Sequence, residues 1–315
     1  MQLPEELQTA IDRIIEKTPS TALKKAREAL SFDYRHGCGS VFEDEGKRLA
    51  YIGARMPATF GAVFKALEKL KELYAFPSSI RLLDLGAGPG TASWAAASLF
   101  NLDKAILIEK SQDAIALGKE LARGSSLQKA EWICRSLSDS EVFPEADLAI
   151  LSYAAGELGN QEELIERLYN SPVHFILVVE PGTPQGFLLI RKIRQQMIDL
   201  GANLIAPCPH QFACPIQGSD WCHFASRIER TRLHRQLKEG TLGHEDEKFS
   251  YVAAAKTPGL KIKGRLVRHV QKHSGHVRMT LCTDGGKLEE KVVSRGQKEL
   301  YRRARDSEWG DAWNW

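Results

Sequence analysis

The sequence predicts a doubly wound α/β domain with an N-terminal helical segment, a Cys-rich metal-binding insertion and a small C-terminal extension containing a β-hairpin. Three observations carry this. From residue 80 onward, short apolar runs (IRLLDL, KAILIEK, AEWICRS, ADLAILSYA, HFILVVEPG) alternate with helical segments (TASWAAASLF, SQDAIALGKELAR, QEELIERLYNS). Strands alternating with helices at that spacing build a parallel sheet covered on both faces. The first strand also runs straight into a glycine loop, LDLGAGPG, and four cysteines (Cys208, Cys214, Cys222 and Cys282) lie downstream of it.

Taken in order, residues 1–76 read as helices. FGAVFKALEKLKELY places Val63, Leu67, Leu70 and Leu73, with Tyr74, on one apolar stripe at helical spacing, and Pro77-Ser78-Ser79 ends it. Residues 77–256 form the α/β domain. After its fifth strand come a helix (FLLIRKIRQQMIDLG), a short sixth strand (ANLIAP) and the cysteine insertion, at about 206–248. A basic helix is expected near 223–238, and FSYVAAAK is the strand that closes the sheet. Residues 257–315 form a basic extension in which HVRMTLC and KLEEKVVS flank Thr283-Asp284-Gly285-Gly286, a hairpin with a glycine turn.

Composition narrows the class. The chain has 315 residues, 43% hydrophobic and 26% charged, the balance of a globular protein with ample core. Its first residues, MQLPEELQTAIDRIIEK, are acidic and amphipathic and lack the basic and apolar regions of a secretory signal. The longest apolar runs are far too short to span a bilayer. These features lead to the expectation of a cytoplasmic protein without structural disulfides.

The net charge of +3 is unevenly spread, with 14 Lys and Arg against 7 Asp and Glu from Lys256 to Trp315. Arg227, Arg230, Arg232, Arg235 and Lys238 form a second basic stretch. Uneven charge of this kind suits a polyanion partner; a solvated helix face is the plainer explanation.

Within the glycine loop, Gly86 and Gly88 let the backbone turn tightly and approach a ligand. Position 91 is Thr, so the spacing is GxGxG and not the GxGxxG of dinucleotide sites. Glu109 ends the second strand, 19 residues past Gly90, where a carboxylate accepts hydrogen bonds from a ribose diol. The arrangement resembles motif I and the second-strand acid of class I S-adenosylmethionine methyltransferases. That resemblance implies that Asp84, Gly86, Ala87, Gly88 and Gly90 face the methionine part of the donor and that Glu109 holds its ribose.

Cys208, Cys214 and Cys222 stand among Pro207, Pro209 and Pro215, on stiff backbone suited to presenting thiolates to a metal. Their spacing matches neither a zinc ribbon nor a ferredoxin. The chemistry leaves iron–sulfur and zinc open, with His210 or His223 able to replace one thiolate. Cys134 reads as a core residue, and Cys38 carries no interpretation.

The segments APCPHQFACPIQGSDWCHFASRIER, YIGARMPATFGAV, LDLGAGPGTASWAA, SYAAGEL and GHVRMTLC…YRRARDSEWGDAW together resemble the methyltransferase-like proteins associated with the mitochondrial ribosomal small subunit. The compact length is similar to that of bacterial relatives of that family. The resemblance implies a [4Fe–4S] cluster on Cys208, Cys214, Cys222 and Cys282, and a role in small-subunit assembly through its ribosomal RNA.

Catalytic residues are not legible. After the fourth strand the chain reads Ser152-Tyr153-Ala154-Ala155-Gly156-Glu157-Leu158, neither the Asn/Asp-Pro-Pro-aromatic run of amino-group methyltransferases nor the Pro-Cys of cytosine-C5 enzymes. Ser152 and Tyr153 are assigned to the donor site, Tyr153 stacking on the donor adenine or on a target base, or standing as a plain sheet-edge aromatic. Glu157 is a base or a helix-start carboxylate, and Glu180-Pro181-Gly182-Thr183 lines the acceptor pocket or simply turns the chain. Tyr301, Arg302, Arg303, Arg305, Trp309, Trp313 and Trp315 pair arginines with aromatics in a manner suited to RNA, or dock a terminal helix.

Three functions follow: an RNA methyltransferase acting on small-subunit ribosomal RNA, a non-catalytic assembly factor that binds donor and RNA, or a zinc-stabilised protein methyltransferase.

Overall fold

The computed structural model describes residues 1–16, 18–36, 42, 44–231, 234–235 and 242–315. Cys38, Arg232 and Lys238 lie outside these residues. The central sheet contains β1 (Ile80–Leu85), β2 (Leu102–Glu109), β3 (Glu131–Cys134), β4 (Ala146–Ser152), β5 (Val173–Pro181), β6 (Asn203–Ala206), β7 (Phe224–Glu229) and β8 (His244–Ala255). Their order is β3-β2-β1-β4-β5-β8-β6, with β7 also paired to β8. The first five strands are parallel, whereas β8 runs antiparallel to β5, β6 and β7. The chain order reverses between β1 and β4, which opens a crevice at their carboxyl ends.

Period-two burial builds the two sides of this sheet. Leu82, Leu107, Leu148, Ile150 and Leu177 point to one core, and Leu83, Leu85, Ala149, Leu151 and Val178 to the other. On the first side pack α1 (Glu5–Ile15), α2 (Ser20–His36), α3 (Glu45–Ala50), α4 (Met56–Lys71), α5 (Thr91–Ala97) and α6 (Gln112–Leu121). The second core is closed by α7 (Gln161–Asn170) and α8 (Pro184–Asp199).

Local chemistry sets the helix starts. Ser111 caps α6 by accepting from Ala114 N at 3.2 Å, and Thr183 caps α8 by accepting from Gly186 N at 3.1 Å, ahead of Pro184 in the first turn. In α1, Leu7, Ala10, Ile11 and Ile15 form the buried stripe. Among the described residues, no helix is long and apolar enough to cross a membrane.

One expected element is different. Phe224–Glu229 is a strand, not the start of a basic helix: Phe224, Ser226 and Ile228 are buried while Arg227 and Glu229 face water. The basic residues here are neutralised across the β7–β8 pair, Arg227 by Asp246 at 2.8 Å and Arg230 by Glu245 at 3.0 Å.

Beyond β8 the chain forms a second sheet from β9 (Gly264–Leu266), β10 (Gln271–Lys272), β11 (His276–Thr283), β12 (Leu288–Ser294) and β13 (Ala312–Trp313). Val277, Met279, Leu281, Val293 and Trp313 form its small core, joined by Ala304 from the terminal helix Glu299–Asp306. Lys69 of α4 reaches Asp311 at 2.8 Å and ties this sheet to the helical side of the first.

Candidate functional site

A cleft of about 1520 Å³, open mouth included, lies above the carboxyl ends of β1, β2 and β4. Gly86, Ala87, Gly88, Glu109, Ser152 and Tyr153 all line it, so six of the eight residues assigned to the donor share one cavity. Asp84 and Gly90 stand behind it. Gly86 and Gly88 have φ of +64° and +54°, and a Cβ on Gly86 would lie 2.9 Å from the Ala154 Cβ. The loop is therefore shaped for backbone without side chains.

Glu109 is buried, and its two oxygens accept from Gly88 N at 2.9 Å and Ser111 N at 2.8 Å. These bonds fix the carboxylate at the end of β2 and leave it lone pairs for a polar ligand. Asp84 is 1% exposed; its Oδ2 accepts from Ser93 N and Oγ at 3.0 and 2.7 Å, while Oδ1 has no partner. Burial pushes its pKa up to about 6, against the hydrogen bonds from Ser93. The unpartnered Asp84 oxygen is sealed beneath the loop and does not line the cleft, whereas the Cβ-free turn at Gly86 and Gly88 beside the fixed Glu109 fits the ribose and methionine parts of S-adenosylmethionine.

The opposite wall comes from the N-terminal helices. Phe42, Tyr51, Arg55 and Thr59 line the cleft, and Tyr51 Oη lies 3.2 Å from Thr91 Oγ1. Tyr51–Arg55 form one π-helical turn, a feature that re-aims side chains at functional sites. Tyr153 has φ +54°, strained for a residue with a Cβ. Its phenol donates to Glu247 Oε1 at 3.0 Å, and Arg55 pairs with Glu247 at 3.0 Å while its guanidinium sits 5.1 Å from the Tyr153 ring centre. Burial and the Glu247 carboxylate hold the Tyr153 pKa well above its usual range.

Glu157 is on the rim. Glu180 is 4% exposed and accepts from Ala155 N at 2.9 Å, so it holds the turn after β4; burial pushes its pKa up to about 7.

The four cysteines line a second, smaller pocket of about 550 Å³, open mouth included. Cys208 follows β6, Cys214 lies in the loop, Cys222 precedes β7, and Cys282 projects from β11 of the other sheet. Burial raises the pKa values of Cys214, Cys222 and Cys282, and the neighbouring cysteines raise them further. Four soft donors lining one largely apolar pocket fit a cationic metal core. Among the described residues, no group of His, Cys, Asp and Glu is gathered tightly enough for a single ion. His210 lies 3.3 Å from the Cys282 sulfur, whereas His223 stacks on Trp221. Cys134, expected in the core, is exposed at the sheet edge.

Sequence reading missed several residues of both sites. Tyr51, Arg55 and Glu247 come from segments remote from the glycine loop. Arg194 and Arg265, which line the cysteine cavity, read as ordinary helix and strand cations. The C-terminal aromatics divide: Trp313 is 1% exposed under the Arg303 guanidinium, and only Trp315, with Lys291 Nζ 3.7 Å from its ring centre, stands half-exposed.

Comparison with known proteins adds lineage. The chain is 26% identical over 289 residues to the human ribosome assembly protein METTL17, mitochondrial, covering 85% of this chain and 62% of that one. It is 23% identical to the Saccharomyces cerevisiae ribosome assembly protein RSM22, mitochondrial, covering 84% of this chain and 66% of that one. It thus spans less than two-thirds of the length of these relatives. Among solved structures, a precorrin-6y C5,15-methyltransferase from Geobacter metallireducens aligns with TM-score 0.41 and 14% identity, over 61% of this chain and 87% of that one. The plantazolicin methyltransferase BpumL aligns with TM-score 0.42 and 16% identity, over 78% and 99%.

The strand order itself makes the main domain a class I methyltransferase-like α/β fold with a mixed sheet. The expectation of a cytoplasmic protein is corrected here, because both relatives are named mitochondrial and point to that organelle. A family model described as mitochondrial small ribosomal subunit Rsm22 matches residues 46–314, and the chain belongs to that family.

Proposed function

We propose that this chain is an assembly protein of the small ribosomal subunit that binds S-adenosylmethionine in the glycine-loop cleft, carries a [4Fe–4S] centre on Cys208, Cys214, Cys222 and Cys282, and contacts ribosomal RNA through its basic C-terminal extension. The observation that carries this reading is the convergence of four cysteines from two sheets on one cavity, in a member of the Rsm22 family. A tetrahedral zinc site brings its sulfurs to about 3.8 Å of one another, from a Zn–S distance of about 2.3 Å. What favours a polynuclear core over zinc is the resemblance of the cysteine segment to that family, not the spacing of the thiols. Such a core supplies cross-linking of the two sheets; zinc is the alternative occupant.

Non-catalytic binding is favoured by the acceptor side of the cleft. Tyr153 is engaged by Glu247 and Arg55, and Glu180 by the turn that follows β4. Methyl transfer to ribosomal RNA is the second reading, favoured by the intact glycine loop and Glu109. The test uses anaerobically prepared protein, labelled S-adenosylmethionine and small subunits from cells lacking the protein. Donor and subunit binding without label in RNA supports the assembly protein; label in RNA supports the enzyme; binding of neither donor nor subunit overturns both. Iron and sulfide in the purified protein support the cluster, and zinc alone excludes it.

A further inference from the structure

We infer that Arg194 and Arg265 are the charge-compensating and positioning pair of the four-cysteine centre. This rests on the centre proposed above and assigns it two residues outside its ligand set.

Both guanidiniums line the cysteine cavity and are almost fully buried, at 4% and 1% exposure. Arg194 projects from α8. Its Nε donates to Cys208 Sγ at 3.2 Å, and its Nη2 donates to the carbonyls of His210 and Phe212 at 3.0 and 2.8 Å. One planar fork therefore holds both a ligand sulfur and the loop between Cys208 and Cys214. Arg265 projects from β9, next to β11 and Cys282. Its Nε donates to Pro207 O at 2.9 Å and its Nη1 to Gly310 O at 2.8 Å, while Nη2 is buried without a partner. It joins the backbone beside Cys208 to the second sheet.

Among the described residues, neither guanidinium is paired with a carboxylate; their partners are carbonyls, one sulfur and, 3.5 Å from Arg194 Nη2, the His210 Nδ1. Two buried cations without anions are costly, and such groups persist where an opposite charge meets them. The cavity supplies that charge. Four thiolates around one divalent ion, or around a doubly charged iron–sulfur core, leave a dianion, which two guanidiniums neutralise. A hydrogen bond to a ligand sulfur also draws electron density from it and favours the reduced form of a redox centre.

The test compares full-length wild type with Arg194→Met, Arg265→Met and the charge-conserving Arg194→Lys and Arg265→Lys, purified anaerobically and reconstituted with ferrous iron and sulfide. Iron and sulfide per chain, the rate of cluster bleaching under a chelator, and the midpoint potential are read. Each Met variant is expected to lose its cluster about tenfold faster or more, the usual effect of removing an outer-shell partner. Its potential is expected to move down, because a positive charge has left. The Lys variants are expected to recover the potential more fully than the retention, since Lys keeps the charge and lacks the fork.

A merely structural role would lower the denaturant midpoint of the metal-free variants as much as that of the loaded ones. Here the Met substitutions are expected to lower the denaturant midpoint of the loaded protein more than that of the metal-free protein. Met variants that keep iron, sulfide and potential unchanged would overturn the assignment while leaving the centre in place. Wild type that takes up neither iron with sulfide nor zinc would overturn the centre itself, and the assignment with it.

Discussion

Replacing Asp84 by Asn should strengthen the fold and weaken the ligand site at once. Asp84 is 1% exposed beneath the glycine loop, and burial moves its pKa from 3.8 to about 6. Because the folded value lies above the unfolded one, the native state binds more protons between these two values. Stability is therefore highest below about pH 4, falls as pH rises through 6, and is flat beyond. The shift corresponds to about 3 kcal/mol lost at neutral pH, at about 1.4 kcal/mol per unit. Asn removes that cost and still accepts from Ser93 N and Oγ, but its amide nitrogen inherits the place of the unpartnered Oδ1, at about 1–3 kcal/mol. The net gain at pH 8 is on the order of 1 kcal/mol and turns into a loss near pH 4, where wild-type Asp84 is already neutral.

Urea unfolding of both proteins at several pH values measures the difference, which also cancels the parallel contribution of Glu180. Equilibrium binding of S-adenosylmethionine at pH 8 measures the ligand side, where Asn removes the buried negative charge beneath the glycine loop, whose field would reach a cationic donor in the cleft. Parallel stability curves for the two proteins, or unchanged donor binding, would refute the argument.

Three further outcomes are expected. Gly86→Ala places a Cβ 2.9 Å from Ala154 at φ +64°, so it should lose about 1–2 kcal/mol from the left-handed backbone alone and bind donor more weakly, by thermal unfolding and calorimetry. Cys222→Ser and Cys282→Ser should lose metal and expose the C-terminal half to protease; unchanged metal content and protease resistance in both would refute the shared centre. Binding to small-subunit RNA should weaken steeply with salt, and Trp315→Ala should cost about 1–3 kcal/mol if its half-exposed ring stacks on a base, whereas Trp313→Ala should instead unfold the small sheet.

The parts of the molecule legible in sequence are those specified locally. The glycine loop and Glu109 announce themselves because strand, turn and helix follow one another within a few residues, and alternating burial fixes which way each side chain points. The β7 strand was not legible. Arg227 and Arg230 stand three apart, as on a helix face, and only pairing with Asp246 and Glu245 on β8 shows that Phe224, Ser226 and Ile228 alternate inward. The far wall of the cleft was hidden for a similar reason. Arg55 and Glu247 are nearly two hundred residues apart, and each alone is an ordinary surface charge. Tyr301 and Trp313 belong to a basic and aromatic cluster suited to RNA in sequence, yet Trp313 is buried in the core of the second sheet and Tyr301 packs against it.

If the proposed metal centre is loaded, the position of Cys282 sets a clock on the maturation of this protein. Three of the four thiols leave the ribosome together, but the fourth follows 60 residues later, on a strand of a different sheet. A nascent chain can finish its main sheet at Ala255 and still have an incomplete cysteine site. Joining Cys222 to Cys282 through a metal closes a loop worth about 4 kcal/mol of unfolded-chain entropy, stabilisation that arrives only when synthesis is nearly over. Cofactor insertion would then act as a late quality check, retaining chains whose second sheet has formed and leaving truncated ones open to proteases.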